Sequence, residues 1–176
     1  MSAAPPYEPG VWNNEFVCGA TNCYAYAAND PYGHLTGGFQ MPGLASGEKL
    51  VAATPGECIR CAESDGMIFI GDEPASCDGH YLVALRLWQG VDFHWMRQDA
   101  DGLWSHKTGN GPASRTDHAG QPIIDPRTAF LKYHHEFVGF FLVPEGGIKT
   151  AEKLQPKPQP AKGWGEWLLS LAPKMW

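Results

Sequence analysis

The chain holds 176 residues, enough for one domain with a hydrophobic core and too few for two comfortable ones. Hydrophobic residues make up 43% and charged residues 18%, which excludes a disordered polymer. Its 13 Lys and Arg are scattered and outnumbered by 19 acids, for a net charge of −6, so no nucleic-acid footprint is present.

No apolar run reaches the length of a membrane span. Residues 1–10 lack a basic segment followed by an apolar one, the mark of a secretory signal. The expectation is a cytoplasmic protein, or one delivered without a classical signal peptide. Five cysteines stand at Cys18, Cys23, Cys58, Cys61 and Cys77. An odd number argues against a disulfide framework and leaves a thiol to be buried, ligating or reactive.

Residues 1–20 are rich in Pro and Gly and read as an extended arm. Thr21 and Asn22 are N-cap types ahead of a helical run, Cys23 to Ala28. Asn29-Asp30-Pro31 ends it, because the residue before proline avoids helix. Residues 30–45 read as loop. Ser46 is set to cap a helical run from Glu48 to Ala53. Thr54-Pro55-Gly56-Glu57 then starts a helix afresh, a capping box with proline at the first helical position. That helix carries Cys58 and Cys61 and stops near Asp65-Gly66.

The pattern then turns to strand at Tyr81–Trp88, Asp92–Gln98, Leu103–Lys107 and Phe137–Val143. Asp99-Ala100-Asp101-Gly102 joins the middle two as a hairpin. Helices ahead of an antiparallel sheet make an α+β fold. The domain is placed at 1–144, a Pro/Lys-rich linker at 145–163 and a short amphipathic C-terminal helix at 164–176. A helix so short must bury its apolar face, on its own domain or on a protein partner.

The chemistry centres on Cys23. A helix start favours thiolate, because free N–H groups and the helix dipole attract negative charge. Asn22 stands beside it as an oxyanion or cleft residue. A base must come from the sheet, and His94 lies in a strand. With Gly102 as a left-handed bulge residue, Asp99 opposes Leu103 and Met96 opposes His106. His94 and His106 then share a face, one diagonal step apart.

Helix-start cysteine, strand histidine and next-strand histidine occur in that order. The pattern resembles the NlpC/P60 branch of the papain-like superfamily over about residues 20–143. The resemblance implies a papain-like fold, with N-terminal helices packed on a C-terminal antiparallel sheet. It also implies hydrolysis of an amide bond in a peptide or peptidoglycan stem-peptide substrate, with Cys23 as nucleophile, His94 as base and His106 as its orienter. The branch usually has Asp-Cys followed by small residues, whereas this chain has Asn22-Cys23-Tyr24-Ala25. The blocks Asn22–Ala27, His94–Asp99, Trp104–Lys107 and Ile124–Arg127 also resemble a group of bacterial and phage proteins, which implies relatedness and no activity.

Other candidates are weighed beside these. Asp125 is an alternative third member of the triad, although Asp-Pro more often starts a turn or caps a helix. Cys58-x-x-Cys61, with Cys18, Cys77 or a histidine, would suit a structural zinc, while two inward-packed thiols explain it more simply. His134-His135 point opposite ways on a strand. His80 could line the cleft from the first long strand. No cofactor is expected. The alternative to a hydrolase is a non-enzymatic binding or interaction module, with or without zinc at Cys58/Cys61.

Overall fold

The computed structural model describes residues 4–37 and 40–151. Among these, five short helices run Pro9–Trp12 (α1), Glu15–Cys18 (α2), Cys23–Ala27 (α3), His34–Gly37 (α4) and Pro55–Ser64 (α5). Six strands follow the last helix: Ile68–Gly71 (β1), His80–Trp88 (β2), Asp92–Gln98 (β3), Trp104–Lys107 (β4), Ala113–Ser114 (β5) and Glu136–Pro144 (β6). They form one sheet in the order β1-β6-β2-β3-β4-β5, with every neighbouring pair antiparallel. The architecture is α+β, helices first and sheet after. None of the described helices is long and apolar enough to cross a membrane.

The central strands are buried on both sides, which is why β2 reads as a continuous apolar run. Val83, Leu85, Leu87, Phe93, Trp95 and Phe141 meet Tyr24 and Ala27 of α3 and Cys58 and Ala62 of α5. On the opposite face Leu82, Ala84, Met96, Trp104, Phe140 and Leu142 pack with Ile123, Ala129 and Leu131 from the long β5–β6 connection.

The hairpin adopts the expected register. Asp99 N–H donates to Leu103 O at 2.8 Å, Gly102 has φ +82°, and Met96 opposes His106. Thr54 caps α5 as its sequence requires, accepting from Glu57 N–H.

Elsewhere the structure departs from expectation. The arm is not extended: Pro9 starts α1, and Asn14 caps α2 by accepting from the N–H groups of Phe16 and Val17 at 3.0 and 3.1 Å. The run Glu48–Ala53 is not helical. Val51 is exposed there, so no apolar face is buried to offset the cost of nucleating so short a helix. Instead, Arg60 of α5 holds the segment irregular, bonding the Glu48 carboxylate at 2.7 Å and Lys49 O at 3.4 Å. Sequence reasoning missed β1, although Ile68-Phe69-Ile70 between glycines is strand-prone, and β5 is a two-residue strand that pairing alone makes.

Residues 145–151, by composition the start of a linker, lie against the domain. Ile148 N–H donates to Ala28 O at 3.0 Å and Thr150 N–H to Asp30 Oδ2 at 3.0 Å. Gly147 allows this approach, since a Cβ there would run into Ala28 O. The rest of the linker and the helix expected at 164–176 fall outside the described residues.

Two buried cations bind α3 and its approach to the sheet. Arg97 of β3 pairs with Asp99 at 3.1 Å, donates to Tyr26 O at 3.3 Å and lies over the Tyr26 ring at 4.2 Å. Lys107 of β4 donates to the carbonyls of Cys18, Thr21 and Gly109 at 2.6, 2.6 and 2.7 Å. Removing one partner from a buried ion pair leaves an uncompensated charge. Asp99→Ala is therefore predicted to lower the unfolding free energy by about 3–5 kcal/mol. Glu48→Ala, which loosens only the exposed pair with Arg60, is predicted to cost under about 1 kcal/mol. Urea denaturation of the two variants checks both values.

Candidate functional site

Helix α3 begins where it does because Asn22 caps it. Asn22 Oδ1 accepts from the N–H groups of Tyr24 and Ala25, both at 3.1 Å. Its Nδ2 donates to Gln40 O at 2.6 Å. The Asn22 side chain is therefore spent on the cap and on anchoring the segment at residue 40.

Cys23 follows at the base of a cavity of about 540 Å³. Met41, Leu50, Val91 and Leu131 give the cavity apolar walls, with Tyr133 among its lining residues. Cys23 is 5% exposed. Its thiol donates to Phe93 O at 3.7 Å and to no histidine. Burial pushes it up to about 12, and the nearby Asp92 acts in the same sense, against the N–H of Trp95.

The histidines form a directed chain. His106 Nε2 lies 2.9 Å from Thr116 O, and a carbonyl only accepts, so Nε2 carries the proton. His106 Nδ1 is then the acceptor, and His94 Nε2 donates to it at 2.8 Å. In neutral His94 this leaves Nδ1 with the lone pair. Burial holds His94 well below the ordinary histidine range, with the neighbouring His106, His135 and His118 adding to the effect. Burial also brings His106 down to about 4.

Two further histidines complete the cluster. His118 Nδ1 accepts from Lys132 N–H at 2.9 Å, so its Nε2 donates to Thr108 Oγ1 at 3.1 Å. Burial lowers His118 as well. His135 Nδ1 donates to Tyr133 O at 3.0 Å, while its Nε2 is buried with no hydrogen-bond partner among the described residues. The His94 ring lies 5.0, 6.0 and 6.4 Å from the rings of His106, His135 and His118.

The fold thus brings Cys23, His94 and His106 together. Sequence reasoning missed His118, which sits in an Asp-His-Ala-Gly turn with no periodicity to mark it. It set His135 aside because adjacent strand residues diverge. Neither lies in a strand: both precede β6, with His134 exposed and His135 turned inward.

Asp125 does not join the cluster. It accepts from Arg127 N–H at 2.9 Å and pairs with the Arg127 guanidinium at 2.8 Å, which holds its carboxyl below the usual range. His80 bonds Asp78 O and lines a different cavity. Cys58 and Cys61 are free thiols packed into the core, and burial pushes Cys58 up to about 12. Among the described residues no group of three or more His, Cys, Asp or Glu is arranged to hold a metal ion, so the zinc alternative finds no ligand set there.

The chain matches no protein-family model and no solved structure. It is 38% identical over 134 residues to insoluble matrix shell protein 1 of Ruditapes philippinarum, a span covering 76% of this chain and 86% of that protein. The chain belongs to the family of insoluble matrix shell protein 1.

This kinship overturns the expectation of a cysteine hydrolase. The relative is named for an insoluble shell matrix, and not as a peptidase, an amidase or a delivered effector. The electrostatics of the site are in keeping with the correction. A nucleophilic cysteine needs thiolate character. In this family member the thiol is held protonated and bonded to a carbonyl, beside imidazoles held neutral.

Neutral buried histidines leave a signature in acid. Unfolded, His106 takes up a proton near its ordinary value of 6.5, whereas folded it does so only near 4. The unfolded state binds more protons between these values. The stabilisation is complete above 6.5, is lost as pH falls towards 4, and changes no further below. At about 1.4 kcal/mol per pH unit, His106 alone accounts for roughly 3 kcal/mol. Urea midpoints measured across this window are predicted to fall steeply in the native chain and less steeply in His106→Gln.

Proposed function

We propose that the chain is a non-enzymatic interaction module that takes its place in an insoluble matrix. The observation that carries this is the 38% identity to insoluble matrix shell protein 1 across 86% of that protein's length. A match this extended relates nearly a whole protein to this domain and is not a shared fragment. The reading moves the chain outside the cell, in place of the cytoplasmic expectation.

On this account the framework is papain-like in layout, with α3 laid on the sheet beside β3 and β4. The NlpC/P60-type placement of Cys23, His94 and His106 then persists as architecture without hydrolysis. One framework hosts unrelated functions, and function resides in the chemistry of the site. Here that chemistry is a cavity with apolar walls and several hydrogen-bonding side chains, which suits recognition.

The test is retention. Full-length protein mixed with demineralised shell matrix and centrifuged is predicted to leave the supernatant saturably. Cys23→Ser is predicted to be retained equally, because the thiol takes part in no bond-making. Protein that stays wholly in the supernatant at low and moderate salt would contradict the proposal, as would release of cleaved matrix fragments over time.

A further inference from the structure

The cavity above Cys23 states what it can bind through its unsatisfied atoms. His135 is 8% exposed and lines the cavity. Its Nδ1 proton is committed to Tyr133 O at 3.0 Å, which makes the buried, unpartnered Nε2 an acceptor. An unpaired polar atom at this depth is costly, and an arriving donor removes the cost. His94 also lines the cavity. Its Nε2 proton is committed through His106 to Thr116 O, which leaves Nδ1 as an acceptor.

Other ligand classes fit poorly. A carboxylate or phosphate would set acceptors against acceptors. An ammonium would meet the Asp92 carboxylate in the cavity lining but would also approach the guanidinium of Arg86, which is bonded to Ala129 O and His135 O. A metal ion would need a ligand group that the described residues do not form. His135 Nε2, His94 Nδ1 and the Asp92 carboxylate in the lining all call for donors, and hydroxyl groups supply neutral donors in number.

One wall of the cavity also suits a flat, weakly polar surface. Tyr133 lines the cavity with half its surface exposed, and its ring is fixed by stacking on Trp88 at 5.3 Å and 12°. An immobilised aromatic face beside buried acceptors packs the C–H face of a sugar ring while the acceptors take its hydroxyls. The cavity, at about 540 Å³, is of small-molecule size.

We propose that this cavity is a binding site for a neutral sugar unit, gripped by His135 Nε2 and His94 Nδ1 as hydrogen-bond acceptors and by the face of Tyr133. The proposal rests on the interaction-module reading and names the chemistry that its pocket would recognise.

The test is an NMR titration of the full chain, labelled with nitrogen-15 and observed at its histidine side chains. The probes are methyl β-glucopyranoside and methyl β-N-acetylglucosaminide, with n-butylammonium, acetate and a blocked glycine peptide as comparators. Saturable shifts at His135 and His94 are expected with at least one sugar at millimolar concentration, and weaker or no response to the comparators. His135→Phe is expected to weaken sugar binding about tenfold, the effect of one lost buried hydrogen bond. Tyr133→Leu, a half-exposed change that spares the fold, is expected to weaken it similarly with the His135 ring in place.

Absence of saturation with both sugars would overturn the proposal. So would tighter binding of the peptide, the ammonium or acetate, or unchanged affinity in a folded Tyr133→Leu variant. Matrix retention without sugar binding would refute the sugar site alone. Sugar binding without matrix retention would refute the matrix role and leave the pocket chemistry standing.

Discussion

A buried guanidinium sets where helix α3 meets the sheet. Arg97 reaches from β3 to Asp99, Tyr26 O, Tyr26 Oη, Asn29 and Pro6 O, so one side chain joins the hairpin, the helix and the N-terminal arm. Asp99 repeats the pattern from the other side, accepting from Ser105 Oγ and pairing with Arg115. A charge without these partners would be too costly to bury, so the elements must assemble together. Cys23, at the start of α3, and His94, on β3, owe their common cavity to that constraint.

Within the cavity, a single backbone carbonyl decides the chemistry. Thr116 O accepts from His106, which fixes the proton on His106 and then on His94. The side chains stand in the order cysteine, histidine, histidine, with the lone pair of His94 on Nδ1. The thiol turns to Phe93 O instead. Placement alone therefore suggested a nucleophile and its base, while burial describes a protonated thiol beside neutral His94 and His106. Kinship with insoluble matrix shell protein 1 is consistent with the second description.

Much of the framework was legible because its signals are local. Asn22 and Thr54 announce their helices through the side chains that cap them. Gly102 announces the hairpin register through its positive φ, and that register brings His94 and His106 together. The rest was hidden for physical reasons. Residues 48–53 carry a helical pattern, but Arg60 on the helix that follows overrides it with side-chain bonds. His118 and His135 arrive from the β5–β6 connection, whose path is set by the packing of Ile123, Ala129 and Leu131, and no spacing encodes such a path. The role of Cys23 was misread because a helix start favours thiolate only where solvent or a partner stabilises it. Here burial wins.

The state of His94 separates a neutral binding cavity from a thiolate–imidazolium pair. Nitrogen-15 NMR of the histidine side chains at neutral pH reads both protonation and tautomer. The account predicts that His94 and His106 are neutral, each protonated at Nε2, with the Cys23 thiol intact. A protonated imidazolium at His94 beside an ionised Cys23 would contradict it.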